Sequence, residues 1–186
     1  MPRVKLEPRK SVLVVIDIQP VLTKTIFEAD RVLARTTFLT KIALLLGIPV
    51  LATEQNPSRM GGMQEEVASL IPSSKLFAKM AFSVAGSFEF LAALKESERT
   101  QAVLVGMETH ICVSQSAQDL LELGYEVVVC PDAVSSRTLD RHKLGMEQIR
   151  DAGVVPAHTE AVAYEWLGSA DHPAFRQALQ IVKEHP

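Results

Sequence analysis

Short, nearly unbroken apolar runs recur along this chain, with helix-patterned segments between them. That alternation constrains the fold more than any other feature. Residues 11–17 (SVLVVID) form the first run, and a run this apolar marks a strand covered on both faces. Residues 30–46 carry Val32, Leu33, Phe38, Leu39, Ile42 and Leu45 at helical spacing, and Gly47 stops the helix. Residues 49–53 (PVLAT), 75–77, 101–106, 125–130 (YEVVVC) and 154–155 supply five further strands. Between and after them, residues 87–95, 110–123, 139–152, 159–167 and 173–183 read as helices. Repeated strand–helix alternation predicts an α/β fold: a three-layer α/β/α sandwich around a doubly wound, mostly parallel six-stranded sheet. The strand order expected is 3-2-1-4-5-6. Ligands then gather at the carboxyl ends of the strands where the winding reverses, between the first and fourth strands. Asp17 ends the first, and Cys112 follows the fourth.

The chain has 186 residues and no internal repeat or linker-like boundary, so residues 1–186 are expected to form a single domain. The formal net charge of -3 gives no basic footprint for nucleic acid. The apolar run near the start is interrupted by Asp17 and too short to span a bilayer, which argues against a membrane partner. Only two cysteines occur, Cys112 and Cys130, too few for a secreted disulfide scaffold, so a reducing cytoplasm is expected.

Cys112 lies where a strand hands over to a helix. Unpaired N–H groups and the partial positive charge of a helix start favour thiolate over thiol, and thiolate is the nucleophile. A buried, inert cysteine is the bland alternative. Cys130 ends a strand with no helix start nearby and reads as structural. His110, two residues before Cys112, is a poor partner, because side chains two apart on a helix do not face one another. Asp17 is better placed, since a carboxylate closing an apolar strand needs solvent or a partner. Its bland reading is a helix cap. Lys79 follows the third strand and could pair with Asp17, unless it is an ordinary surface lysine. No phosphate loop, dinucleotide fingerprint, nucleophile elbow or metal-ligand spacing of histidines occurs.

Three stretches together resemble the isochorismatase-like cysteine hydrolase superfamily: VVIDIQ with Asp17, KMAFS with Lys79, and GMETHICVSQSAQDLLELGYEVVVCPDAVSSR with Cys112. The stretches ATEQNP and DHPAFRQALQIVKE are similar to the isochorismatase-domain-containing branch. The resemblance implies an Asp17–Lys79–Cys112 triad. Asp17 would be general base, Lys79 would hold the charges, and Cys112 would attack a carbonyl carbon to give a thioester-type intermediate. It also implies a cis Met107–Glu108 bond, an oxyanion hole from the backbone N–H groups of Glu108 and Cys112, and a pocket lined by Gln19, Gln55 and Phe82. Where nicotinamidases of the superfamily carry an Asp-x-His metal motif, this chain has Gln55 and Pro57, so no metal and no other cofactor is expected.

The function implied is hydrolysis of an amide-type C–N bond in a small-molecule substrate by a homo-oligomer, a dimer, tetramer or larger. Two other classes stay open: a catalytically idle binding module on the same fold, and a flavodoxin-like nucleotide binder, which the lack of a phosphate loop disfavours.

Overall fold

The structure, a computed structural model, describes residues 4–185. In chain order the elements are β1 (Ser11–Ile16), α1 (Pro20–Thr23), α2 (Ala29–Leu45), β2 (Val50–Gln55), α3 (Pro57–Met60), α4 (Glu65–Ala68), β3 (Leu76–Lys79), α5 (Phe88–Glu96), β4 (Gln101–Met107), α6 (Ser114–Glu122), β5 (Glu126–Ser135), α7 (Leu139–Asp151), β6 (Val155–Pro156), α8 (Thr159–Leu167) and α9 (Phe175–Glu184). The six strands are all parallel, in the order β3-β2-β1-β4-β5-β6. This is the expected doubly wound sheet.

Successive side chains of a strand point to opposite faces, and β1 shows why its run is apolar throughout. Leu13 and Val15 join one core, with Val32, Phe38, Leu39 and Ile42 of α2, Val162 and Trp166 of α8, and Ala178 of α9. Val12, Val14 and Ile16 join the other, with Phe90 and Leu94 of α5, Ala117 and Leu120 of α6, and Met146 and Ile149 of α7. Every residue of β1 is buried. The two cysteines fall on opposite sides of the sheet, Cys130 in the first core and Cys112 in the second, and both are free. Truncating a fully buried anchor such as Phe38 or Trp166 to alanine costs about 3–5 kcal/mol. Trp166 also donates its indole N–H to the buried Ser11 hydroxyl (2.9 Å), tying α8 to the start of β1.

Several boundaries depart from the sequence expectation. β2 runs on to Gln55, and β3 runs to Lys79 because the two pair in register up to Gln55–Lys79. Lys79 is thus the last strand residue, not a loop residue beyond it. β5 continues to Ser135, past Pro131, which lacks an N–H and reads as a stop. It continues because the register slips: between the Leu104–Val129 and Gly106–Val134 pairs, β4 advances two residues and β5 five. The one-turn helices α1, α3 and α4 are too short to leave a periodic pattern.

The contact between β1 and β4 is tight at its carboxyl end. Gly106 pairs with Ile16 and has φ +121°. A Cβ there would lie 2.0 Å from the Ile16 carbonyl oxygen. Both the space and the backbone angle demand glycine. Gly106→Ala is expected to lose at least about 2 kcal/mol of stability, measured by urea denaturation. A wild-type midpoint in that variant would show that the two strands can separate at no cost.

Candidate active site

Three carboxyl strand ends converge where the winding reverses. Asp17 comes straight after β1 with φ 53°, a left-handed conformation that Asp tolerates better than most residues. Lys79 ends β3 and reaches across β2. Cys112 lies beyond β4, on one wide π-type turn, Thr109–Val113, that leads into α6. The helix start expected at Cys112 is therefore a π turn, a form that recurs at functional positions.

Asp17 and Lys79 form an ion pair of 2.7 Å between the lysine Nζ and Asp17 Oδ2, with both side chains fully buried. The other Asp17 oxygen, Oδ1, accepts from the Thr53 hydroxyl at 2.8 Å. Lys79 Nζ also donates to Gln55 Oε1 (2.7 Å), the Phe82 carbonyl (2.9 Å) and the Ala81 carbonyl (3.2 Å). The ammonium is enclosed by acceptors, which makes its burial tolerable.

Burial pushes the Cys112 thiol up to about 12, and the charge of Asp17, together with its hydrogen bond to the thiol, pushes the same way. Lys79 and a backbone hydrogen bond from Glu108 pull it down, and do not prevail. This corrects the expectation that a helix start makes Cys112 a thiolate. The resting group is a thiol, because it is desolvated and faces a carboxylate. Cys130 is raised well above its ordinary value, first by burial and then by Asp132, and lies in the opposite core. The His110 Nδ1 hydrogen-bonds with Ser136 Oγ (2.9 Å) rather than with the thiol.

The Met107–Glu108 peptide bond is cis. The Glu108 carbonyl accepts from the N–H groups of Ile111 (3.0 Å) and Val113 (3.2 Å), closing the π turn. The Glu108 carboxylate pairs with Arg137 Nε (3.1 Å) and accepts from its backbone N–H (3.2 Å). Thr109, fully buried, hydrogen-bonds with His142 Nδ1 (3.0 Å). The cysteine turn is thus anchored to the residues after β5 and to α7.

Of the three residues expected to line the pocket, two do other work. Gln19 is fully buried, and its amide bonds the Gln55 carbonyl (3.1 Å), the Gly61 carbonyl (2.6 Å) and the Gln55 N–H (2.8 Å). It clamps the chain after β2. Gln55 spends Oε1 on Lys79 and Nε2 on the Met80 carbonyl (2.9 Å). Phe82 alone leaves its side chain free, 54% exposed, beside Met80 at 71% and near Phe88 at 82%. Met80 and Phe82 lie on the loop that wraps Lys79, and Phe88 opens α5 a few residues on. Thr53 and the carbonyls that enclose Lys79 escaped sequence reading. The one available signal was polar residues two apart, Thr53 and Gln55, at the end of an apolar strand.

Comparison with known proteins places the chain in a family. The isochorismatase domain family model matches residues 11–161. The secreted isochorismatase effector Isc1 of Phytophthora sojae is 35% identical over 185 residues, covering 97% of this chain and 88% of that protein. Isochorismatase domain-containing protein 2 of Danio rerio is 32% identical, covering 98% and 91%. Among solved structures, the MAR1 ribonuclease of Caenorhabditis elegans superposes with a TM-score of 0.92 at 30% identity, covering 98% and 95%. The Escherichia coli YcaC gene product, described as an octameric hydrolase of unknown specificity, gives a TM-score of 0.92 at 20% identity, covering 100% and 92%. The chain belongs to the isochorismatase family, on the branch of isochorismatase domain-containing proteins, and carries that family's hydrolase fold.

Asp17→Asn acts on Cys112 in two opposed ways. It removes a charge that raises the thiol, so thiolate becomes easier to form at high pH. It also removes the carboxylate that can accept the proton near neutrality. Iodoacetamide labelling of Cys112 in Asp17→Asn is expected to be at least about tenfold slower than wild type near pH 7 and faster near pH 10. Peptide mass spectrometry across that range checks it. Parallel pH curves would mean that Asp17 does not act on the thiol.

Proposed function

We propose that this protein is a metal-independent cysteine hydrolase that cleaves an amide-type C–N bond of a small molecule through Asp17, Lys79 and Cys112. One observation carries the reading: a buried carboxylate pairs at 2.7 Å with a lysine enclosed by acceptors, in the same site as a buried cysteine on which its charge acts. As the Cys112 sulfur bonds to the carbonyl carbon, its proton passes to Asp17. Coupling the two events avoids a free buried thiolate beside a carboxylate. The backbone N–H groups of Glu108 and Cys112 receive the oxyanion. Collapse of the tetrahedral adduct breaks the C–N bond, Asp17 returns the proton to the leaving nitrogen, and a thioester remains. Water then attacks the thioester and gives its proton to Asp17. The acid product leaves, and the proton returns to sulfur. Lys79 keeps its charge throughout and holds the carboxylate in place.

Metal independence is supported by donor chemistry. Gln55 already bonds Lys79 and Met80, and Pro57 has no side-chain donor atom. The net charge of -3 favours a small molecule over the nucleic acid suggested by the worm protein's name. Assembly of copies is supported by the exposed Met80, Phe82 and Phe88, and by the octameric description of the Escherichia coli protein. No helix among the described residues is long and apolar enough to cross a membrane. Two free cysteines suit a reducing, cytoplasmic setting, although the oomycete relative is named as secreted.

A panel of small amides, carbamates and esters tests the reading. Turnover in wild type, none in Cys112→Ala, and an acyl adduct on Cys112 by intact-mass measurement are the expected results. Turnover that survives in Cys112→Ala rules the mechanism out, and silence across the whole panel favours an idle binding module. In a separate measurement, light scattering is expected to show an oligomer that Phe82→Ser with Phe88→Ser weakens.

A further inference from the structure

We propose that Thr53 is a positioning residue for the base: its hydroxyl fixes the Asp17 carboxylate so that it meets Lys79 and the Cys112 thiol at once. The inference rests on the reading that Asp17 serves Cys112. The torsion that turns a carboxylate is soft and broad, so an ion pair at one oxygen leaves the group free to rock. Thr53 removes that freedom. Its hydroxyl donates to Asp17 Oδ1 at 2.8 Å while Lys79 holds Oδ2 at 2.7 Å. Its backbone carbonyl accepts the Asp17 N–H at 3.1 Å, and it pairs in register with Ile16. Residue 17 is therefore gripped by Thr53 through both main chain and side chain.

The hydroxyl is aimed by local structure. A β-branched side chain in a strand has few χ1 choices, and Thr53 is fully buried. Residues two apart on a strand share a face. On that face of β2, Thr53 holds the carboxylate and Gln55 holds the ammonium. β2 lies between β1 and β3 and carries no reacting group itself, yet it sets the position of both charges.

A packing role and a positioning role make opposite predictions for two substitutions. Thr53→Val keeps the shape and loses the hydroxyl, whereas Thr53→Ser keeps the hydroxyl and loses the methyl. The experiment compares iodoacetamide labelling of Cys112 at pH 7, with thermal midpoints, in full-length wild type, Thr53→Val, Thr53→Ser and Asp17→Asn. Thr53→Ala replaces the valine variant if that one does not fold. The valine variant is expected to label on the order of 10- to 100-fold more slowly, the loss of one charge-assisted hydrogen bond. The serine variant is expected to recover most of the wild-type rate. Wild-type labelling in Thr53→Val, or serine as slow as valine, overturns the proposal while slow labelling in Asp17→Asn leaves the base reading standing. Wild-type labelling in Asp17→Asn instead removes the base reading, and the role of Thr53 with it.

Discussion

The buried pair of Asp17 and Lys79 governs the rest of this structure. Two charges withdrawn from water cost several kcal/mol each, about as much as their attraction returns, unless every remaining polar atom is satisfied. Here Lys79 is surrounded by Asp17, Gln55 and two carbonyls of its own loop, and Asp17 takes a hydroxyl on its second oxygen. The pair is possible only because the strand order sets β3 next to β2 and β2 next to β1. Topology and electrostatics are therefore one constraint. Any sequence that keeps this ion pair must also keep the polar end of the intervening strand.

Burial, helped by the Asp17 half of the pair and opposed by Lys79, sets the state of the cysteine. A helix start alone would favour thiolate, but desolvation and the facing carboxylate are stronger, and the thiol stays protonated. Such a group is held in reserve. On the mechanism proposed above, it becomes a nucleophile as its proton passes to Asp17. The proposed mechanism therefore places selectivity in the coupling of attack and proton transfer rather than in a standing charge.

Much of this was legible in the sequence, and the exceptions have physical causes. Unbroken apolar runs identify strands covered on both faces, and β1, flanked by helices on either side, is such a strand. Asp17 was legible because a carboxylate stands out at the end of that run. Thr53 was not, since threonine is an ordinary strand residue and its hydroxyl has meaning only beside a neighbouring strand. Gln19 and Gln55 enter as pocket residues only through the family resemblance, which says nothing of what their amides bond in this chain. Their amides are consumed by backbone and by Lys79, which only three-dimensional structure can show. The extension of β5 past Pro131 was hidden for a similar reason: a register slip belongs to two strands, not to one.

The sheet's borders have a consequence of their own. Its outer strands are β3, four residues long, and β6, only two, one of them proline. Short borders with a missing donor offer little template for another strand. Growth of the sheet from one molecule into the next is therefore disfavoured at both margins. Side-chain surfaces are then the favoured route by which copies associate, and that leaves association open to adjustment one residue at a time.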